Sequence, residues 1–211
     1  MFVRFPLFMK LMLLCSIILS MTYTQAQTPE LQKIFTQLGA TDLVRANFEQ
    51  QKKLASLNKT YVSKGTVLFH KNQGVLWQIK QPVQADLVVT AKRLIQKTQR
   101  TSSQIDVDKT PYGSVATMFL QLMSGNETAL SKNFNVVSAK YSPTQWNVVL
   151  KPKSALFKKL FVQVDAQGQR YVDQIVIQEQ ANNRTTIRFS QQSAQPSTLT
   201  AAENALFQLA K

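Results

Sequence analysis

The stretch that decides the fold is GTVLFHKNQGVLWQIKQP, residues 65–82. Apolar side chains recur at every second position on both sides of a polar turn, at Val67, Phe69, Val75, Trp77 and Ile79. A period of two is typical of strands that bury one face. The stretch therefore predicts two short strands joined by a tight turn.

Alternating segments of the same kind lie along most of the chain. They are predicted at 44–53, 65–69, 74–80, 86–91 and 93–98, and again at 134–141, 145–151, 159–165, 172–178 and 185–190. Their connections are short, and short connections favour antiparallel neighbours. About ten antiparallel strands in a single sheet must curl strongly or nearly close.

Helical patterns interrupt the strands. Thr28 and Pro29 are suited to start a helix, and its apolar stripe of Leu31, Ile34, Phe35 and Leu38 precedes Gly39, which is placed to end it. A second helix is predicted at 114–124, a brief turn at 127–130, and a capping-box helix from Thr200. The fold class predicted is α+β, with one strongly curved antiparallel sheet whose concave apolar face is covered by helices.

The N-terminus has the features of a signal peptide. Arg4 and Lys10 precede an apolar run at 11–21, and small residues before Gln27 suit cleavage. The run is short for a membrane anchor, which needs about 20 residues. We therefore predict a cleaved signal over 1–26, a domain over 27–191, and a linker with a short helix over 192–211. Cys15 would leave with the signal, and the predicted location is the periplasm.

The chain is strongly basic, with 25 lysines and arginines against 11 acidic residues. Loss of Arg4 and Lys10 lowers the formal net charge from +14 to +12. A basic secreted chain suits either a solubilising surface or attraction to an anionic membrane surface. Secretion and the lack of any nucleic-acid-binding signature argue against nucleic acid as a partner.

Residues for catalysis are scarce. The predicted mature chain has one histidine, His70, no cysteine, and scattered carboxylates. Asp106 and Asp108 lie in a predicted polar loop, where solvation accounts for them. No nucleophile, phosphate-loop or metal-ligand pattern occurs. We therefore expect no catalytic residues, no metal and no cofactor, and a periplasmic hydrolase is the least favoured of three hypotheses.

The ordered set Gly65, Lys71, Trp77 and Pro82 resembles the LolA/LolB lipoprotein-carrier family of diderm bacteria. The ending LTAAENALF, residues 199–207, resembles more closely the LolA-related proteins associated with MMPL-type lipid exporters. The resemblance implies an incomplete barrel with a helical lid and an apolar cavity for acyl chains. It also implies an inner-membrane exporter and an outer-membrane acceptor as partners, for a carrier that is a monomer.

The curled sheet and the resemblance together predict which side chains line that cavity. A curled sheet has one concave face, and two helices fill it only partly, so a lipid-sized cleft could remain. The predicted cavity residues are Phe48, Val67, Phe69, Val75, Trp77, Ile79, Leu87, Val89, Met118, Phe119, Leu122, Trp146, Val148, Leu150, Leu160 and Val162. For each of them alone, ordinary core packing is the alternative.

Lys71 stands where the lipoprotein carriers have an arginine, followed by proline, that holds the lid closed. Here Lys71 precedes Asn72, and lysine lacks the planar donor fork of arginine. The resemblance predicts Lys71 as the lid latch, with partners near residues 114–125. The alternative is an exposed turn lysine.

Two functional hypotheses remain beside the disfavoured hydrolase. The first is a periplasmic carrier that shields acyl chains of a lipoprotein or other lipid during transfer from the inner to the outer membrane. The second is an accessory or binding module of a lipid exporter that carries no lipid. Lipid extracted from the purified protein would distinguish them.

Overall fold

The computed structural model describes residues 29–107 and 111–210, with side chains from residue 116 onward in the second range. The predicted signal peptide over 1–26, Cys15 and the predicted N-cap Thr28 lie outside the described residues. Asp108 does so as well.

Eleven strands form one antiparallel sheet. They are β1 (Leu43–Leu54), β2 (Lys59–His70), β3 (Gly74–Gln81), β4 (Ala85–Val89), β5 (Arg93–Lys97), β6 (Ser102–Asp106), β7 (Phe134–Tyr141), β8 (Trp146–Pro152), β9 (Phe161–Gly168), β10 (Val172–Glu179) and β11 (Arg184–Ser193). Their order is β6-β5-β4-β3-β2-β1-β11-β10-β9-β8-β7. The two meanders β1–β6 and β7–β11 therefore join through the pairing of β1 with β11, and the sheet stays open between β6 and β7. This arrangement confirms the predicted fold class.

Within the described residues, five α-helices accompany the sheet. They are α1 (Pro29–Gly39), α2 (Pro111–Met123), α3 (Glu127–Leu130), α4 (Ala155–Leu160) and α5 (Ala201–Gln208). The first four contribute buried side chains to one large apolar cluster on the concave face of the sheet. None of the described helices combines the length and the apolar character needed to cross a membrane.

The predicted α1 is confirmed, and its apolar stripe is the reason for its position. Leu31, Ile34, Phe35 and Leu38 are all at most 5% exposed, and they join the concave cluster. Gln37 donates hydrogen bonds to the carbonyls of Gln169 and Arg170 in the β9–β10 turn. The helix is therefore fixed over the β7–β11 half of the sheet.

The helix α5 packs on the opposite, convex face. A second apolar cluster joins Phe207 and Ala210 to side chains of β2–β5, namely Leu68, Leu76, Val88 and Ile95. The predicted capping box is present, with Thr200 and Glu203 bonding each other's backbone N–H groups. Arg45 on β1 forms a bidentate ion pair with Glu203, at 2.8 and 2.6 Å, and this pair ties the helix to the sheet.

Three elements differ from the predictions. Strand β2 starts at Lys59, six residues earlier than predicted, and β6 occupies a stretch predicted as a polar loop. Both segments lack apolar alternation because they lie at exposed ends or edges of the sheet, so their sequence carries no periodic signal. The third is α4, which replaces the start of a strand predicted at 159–165. Ser154 caps this helix by accepting a hydrogen bond from the Phe157 N–H.

Candidate functional site

The concave face is built by the strand register. Cross-strand pairing sets Val67 opposite Trp77, and Trp77 opposite Leu87. In a second row of paired residues across the same strands, Phe69 lies opposite Val75, and Val75 lies opposite Val89. Because side chains alternate between the two faces of a strand, each row lies wholly on the concave side.

Most of the predicted cavity residues come together there. Eleven are buried in the concave cluster, namely Phe48, Val67, Phe69, Val75, Val89, Met118, Phe119, Leu122, Trp146, Val148 and Leu150. Trp77, Ile79 and Leu160 are half-buried and pack against it. Leu87 is half-buried and faces Trp77 across the β3–β4 pair. Trp77 and Trp146 therefore share the cluster on the concave face, as predicted.

Val162 is the exception, and the prediction for this residue is wrong. Its side chain is 46% exposed, so it points away from the cluster. Glu179 pairs with Phe161 and Gln178 pairs with Gln163, which leaves Val162 as an extra residue in a bulge. A bulge shifts the two-residue period by one position, and Phe161 takes the inward place instead.

Trp77 is the centre of an aromatic group on this face. Its ring centroid lies 4.3 Å from that of Phe48, 5.7 Å from that of Phe119 and 6.1 Å from that of Phe189. These separations are in the range of favourable ring pairs. The group joins β1, β3, β11 and α2, yet Trp77 itself keeps part of its surface exposed.

Gly65 explains how the rings of this group fit together. A Cβ at this position would lie 1.9 Å from the Gln78 carbonyl oxygen and 3.0 Å from the ring of Phe48. The β2–β3 pairing also shifts register between Lys64 and Gly65. Glycine therefore allows β3 to approach closely and leaves room for the Phe48 ring beside Trp77.

Trp146 lies in a sealed environment. Its side chain is 1% exposed, and it lies over Gly168, whose Cβ would be 2.9 Å from the indole. Tyr141, its partner on β7, hydrogen-bonds Gln37 of α1. The Nε1 of Trp146 and the Oε1 of Gln121 are buried and have no hydrogen-bond partner among the described residues.

Lys71 contacts a helix, but not the predicted one. Its Nζ donates to the Gly39 carbonyl oxygen at 2.7 Å and lies 3.9 Å from the Asp42 carboxylate. Its side chain is 39% exposed. The predicted partners near residues 114–125 are therefore replaced by the C-terminal end of α1. The free carbonyls at a helix C-terminus attract a cation, which explains this contact.

The end of α1 meets the end of α2 directly. Gly125 has a φ of +64°, and a Cβ there would lie 2.2 Å from the Phe35 carbonyl oxygen and 2.7 Å from the Gly39 nitrogen. Among the described residues, Lys71 contacts the end of α1, and α1 in turn contacts the end of α2. A polar groove of about 590 Å³ lies beside this junction, lined by residues of α1, the α2–α3 turn and the β2–β3 turn.

Several members of the concave cluster were not predicted from the sequence. Phe189 and Ile187 alternate along β11, so the signal for them was present in the sequence. Phe157 and Phe161 contact each other, and Phe157 contacts Phe134. Phe161 was missed because the strand predicted at 159–165 placed Leu160 and Val162 inward, and Phe157 lies in a helix that was not predicted. Within the described residues, no group of three or more His, Cys, Asp or Glu side chains could hold a metal ion.

The sequence matches the family described as "Outer membrane lipoprotein carrier protein LolA" over residues 40–209. The chain belongs to the LolA family. The match spans β1 to α5, so it includes both meanders and the helices between them. The recognition made from Gly65, Lys71, Trp77 and Pro82 is thereby confirmed at the level of the family.

Solved structures of the LolA superfamily are similar to this LolA-family chain at low identity. A LolA superfamily protein from Nitrosomonas europaea has 11% identity and a TM-score of 0.48, over 84% of this chain and 96% of that one. A putative outer membrane lipoprotein-sorting protein domain from Vibrio parahaemolyticus has 11% identity and a TM-score of 0.45, over 83% and 96%. These scores lie below 0.5 and carry no functional argument. No curated protein matches the sequence significantly.

Proposed function

We propose that this LolA-family protein is a periplasmic carrier for lipid. It holds the acyl chains of a lipoprotein or another lipid on the concave face of its sheet. It receives them at an inner-membrane exporter and delivers them to an outer-membrane acceptor, as a monomer.

The observation that carries the proposal is the partial exposure of Trp77 at the centre of its aromatic group. Large aromatic side chains meet on the concave face of an open sheet, and Trp77 remains half-buried at their centre. The helix above them presents Met118, Phe119 and Met123, and flexible methionines adapt to chains of variable shape. A face of this kind suits an acyl chain better than a single rigid ligand.

Binding requires α2 to move, and the energies permit this. Met118 and Leu122 are fully buried, so the face is filled in this structure. Exposing four apolar side chains of α2 costs about 6–12 kcal/mol, at roughly 1.5–3 kcal/mol each. An acyl chain of about 16 carbons that takes their place contributes about 12 kcal/mol, at roughly 0.8 kcal/mol per methylene. The two terms are comparable, and a carrier needs this balance to take up cargo and also release it.

The unpaired Nε1 of Trp146 fits the same cargo. Trp146 Nε1 can donate a hydrogen bond. Burying a donor without a partner costs about 1–3 kcal/mol. If the movement of α2 uncovers this indole, the ester or amide carbonyl of an acylated molecule would accept the hydrogen bond while its chain fills the apolar face.

The test is to extract lipid from purified protein and to measure binding of a fluorescent fatty-acid probe. Trp77→Glu places an unpaired charge in the aromatic group and should abolish probe binding. Val137→Glu is the matched control, since Val137 is 51% exposed, and this variant should bind normally. A folded Trp77→Glu variant that binds the probe with parental affinity would refute the assignment of this face.

A second candidate is an accessory module of a lipid exporter that carries no lipid. The filling of the face by α2 favours it, because Met118, Leu122 and Trp146 already pack as an ordinary core. The two candidates differ in one measurement. Protein purified without any bound lipid, and unable to bind the probe, would support the accessory module.

A further inference from the structure

The antiparallel register gathers six segments at one end of the sheet. They are 51–64, 80–85, 97–102, 131–134, 151–161 and 178–185, and we call this region the tip end. Leu54 pairs with Lys59 there, and Lys53 pairs with Arg184. The opposite end contains the C-terminus of α1 and the β2–β3 turn with Lys71, and we call it the α1 end.

Positive charge is concentrated at the tip end. Its segments hold one acidic residue, Glu179, and thirteen basic ones, namely Lys52, Lys53, Lys59, Lys64, Lys80, Lys97, Arg100, Lys132, Lys151, Lys153, Lys158, Lys159 and Arg184. Among the described contacts, only Lys52 and Lys64 of these form ion pairs, with Glu179 and Glu49. The described segments of the α1 end are 29–46, 69–75, 89–94, 105–107, 124–130, 140–146 and 166–173, and they hold seven basic and five acidic residues.

The same end carries most of the exposed apolar surface. Eight large hydrophobic side chains of the described residues are strongly exposed, and five of them lie here, namely Leu57, Tyr61, Val62, Val83 and Leu156. Leu57 is 61% exposed and Val83 is 70% exposed. Single exposed apolar residues are ordinary, but such a concentration marks an interaction surface.

The β1–β2 hairpin extends past β3 at this end, while β11 stays paired with its other side as far as Lys53. Lys64 pairs with Gln81 at the end of β3, so residues 59–63 extend past β3 in the described register. Five residues of strand span about 17 Å. Tyr61 and Val62 point to opposite faces of the hairpin, and both are exposed. Lys59 Nζ lies 5.2 Å from the centroid of the Tyr61 ring.

Hydrogen bonds join the hairpin to its neighbours in one surface. The Ala55 N–H donates to Asn183 Oδ1 at 3.0 Å, which ties the hairpin to the β10–β11 turn. The β10–β11 turn also contacts α4, because Gln180 Nε2 donates a hydrogen bond to the Lys158 carbonyl oxygen at 2.8 Å. Leu57 and the lysines of α4 are therefore parts of a single connected rim.

We propose that the tip end docks on the surface of an anionic phospholipid bilayer. Lysines at a membrane surface contribute about 1 kcal/mol each by attraction to anionic headgroups. Apolar tips and a tyrosine beside a lysine suit the interface between headgroups and acyl chains. An acidic protein would match the positive charge of the tip end. It offers no apolar layer, however, for exposed side chains such as Tyr61 and Val62, which lie on opposite faces of the hairpin. The proposal does not depend on the identity of the cargo.

The experiment uses the chain from Gln27 to Lys211, which contains every described residue and no cysteine. An environment-sensitive dye is attached at Leu57→Cys, and at Val137→Cys as the control. Each protein is mixed with vesicles of phosphatidylcholine alone or with added phosphatidylglycerol. The dye at position 57 should report an apolar surrounding only with the anionic vesicles, and the dye at position 137 should report no change. Added salt should weaken the response, because it screens the charges.

A pair of double variants tests the charge. Lys158→Gln with Lys159→Gln should lower partitioning into anionic vesicles roughly thirtyfold. Lys92→Gln with Lys140→Gln, at the α1 end, should change it less than about twofold. Failure to bind anionic vesicles, or equal losses in the two double variants, would overturn the proposal. Tighter binding to soluble polyglutamate than to vesicles would assign the surface to an acidic protein instead.

Discussion

The two halves of the sheet each hold one tryptophan, and the two side chains have different surroundings. Trp146 in the β7–β11 half is 1% exposed. In the same half, Gln37 fixes α1 to the β9–β10 turn by hydrogen bonds. Trp77 in the β1–β6 half is half-buried and faces α2 through Phe119. The comparison shows that the β7–β11 half packs its tryptophan more tightly. Under the proposed carrier function, the β1–β6 half is the part that would exchange α2 for cargo.

The largest expected effect is on stability. Trp146→Ala should lower the free energy of unfolding by about 3–5 kcal/mol, because it leaves a large buried cavity. Trp77→Ala should lower it by only about 1–2 kcal/mol, since Trp77 is partly exposed already. Urea denaturation measures both values. Equal losses would mean that the two halves do not differ in packing.

Gly125 tests the junction of α1 with α2. Gly125→Ala should cost about 2 kcal/mol, because alanine is strained at positive φ and its Cβ would meet the Phe35 carbonyl. If this junction restrains α2, the variant should also take up the fatty-acid probe faster. Ala181→Gly is the control, since Ala181 has a φ of +58° at an exposed turn. That change should not lower stability, and a similar loss in both variants would contradict the role of the junction.

Lys71 should have a smaller effect. Lys71→Leu removes the hydrogen bond to Gly39, which is partly exposed and contributes at most about 1 kcal/mol. Lys71→Arg should strengthen the contact through additional donors. We expect the two variants to shift the rate of lipid transfer between vesicles in opposite directions. Parental rates in both would make Lys71 an ordinary turn lysine.

The smallest effect concerns α5 and pH. Hydrogen bonds from the Arg45 guanidinium hold the pKa of Glu203 below its usual range. A carboxylate whose pKa is lowered by folding stabilises the folded state above its unfolded pKa and loses this contribution as the pH falls through the folded value. Stability should therefore decline modestly below about pH 4. Glu203→Gln should remove that part of the decline in thermal melts, and an unchanged pH profile would exclude the ion pair as its source.

Local sequence patterns predicted the elements well wherever one face is buried. The strand at 134–141 and the capped helix from Thr200 are confirmed because their signals come from neighbouring residues. The stretch 65–82 also placed Phe69, Val75 and Trp77 on one face, since the period of two leaves no other choice. The sequence alone thus determined the fold class, the family and most of the concave face.

Tertiary structure decided what depends on residues far apart in the chain. The partner of Lys71 is the Gly39 carbonyl, 32 residues away, and local pattern cannot select between two helix ends. Val162 turned outward because of a bulge against β10, which is a property of the pairing and not of the strand. The lysines of the tip end are scattered in the sequence, and only the antiparallel register collects them. Periodicity reports on which face of a strand a residue lies. Contacts between distant elements depend on how the strands pair and how the whole sheet curves.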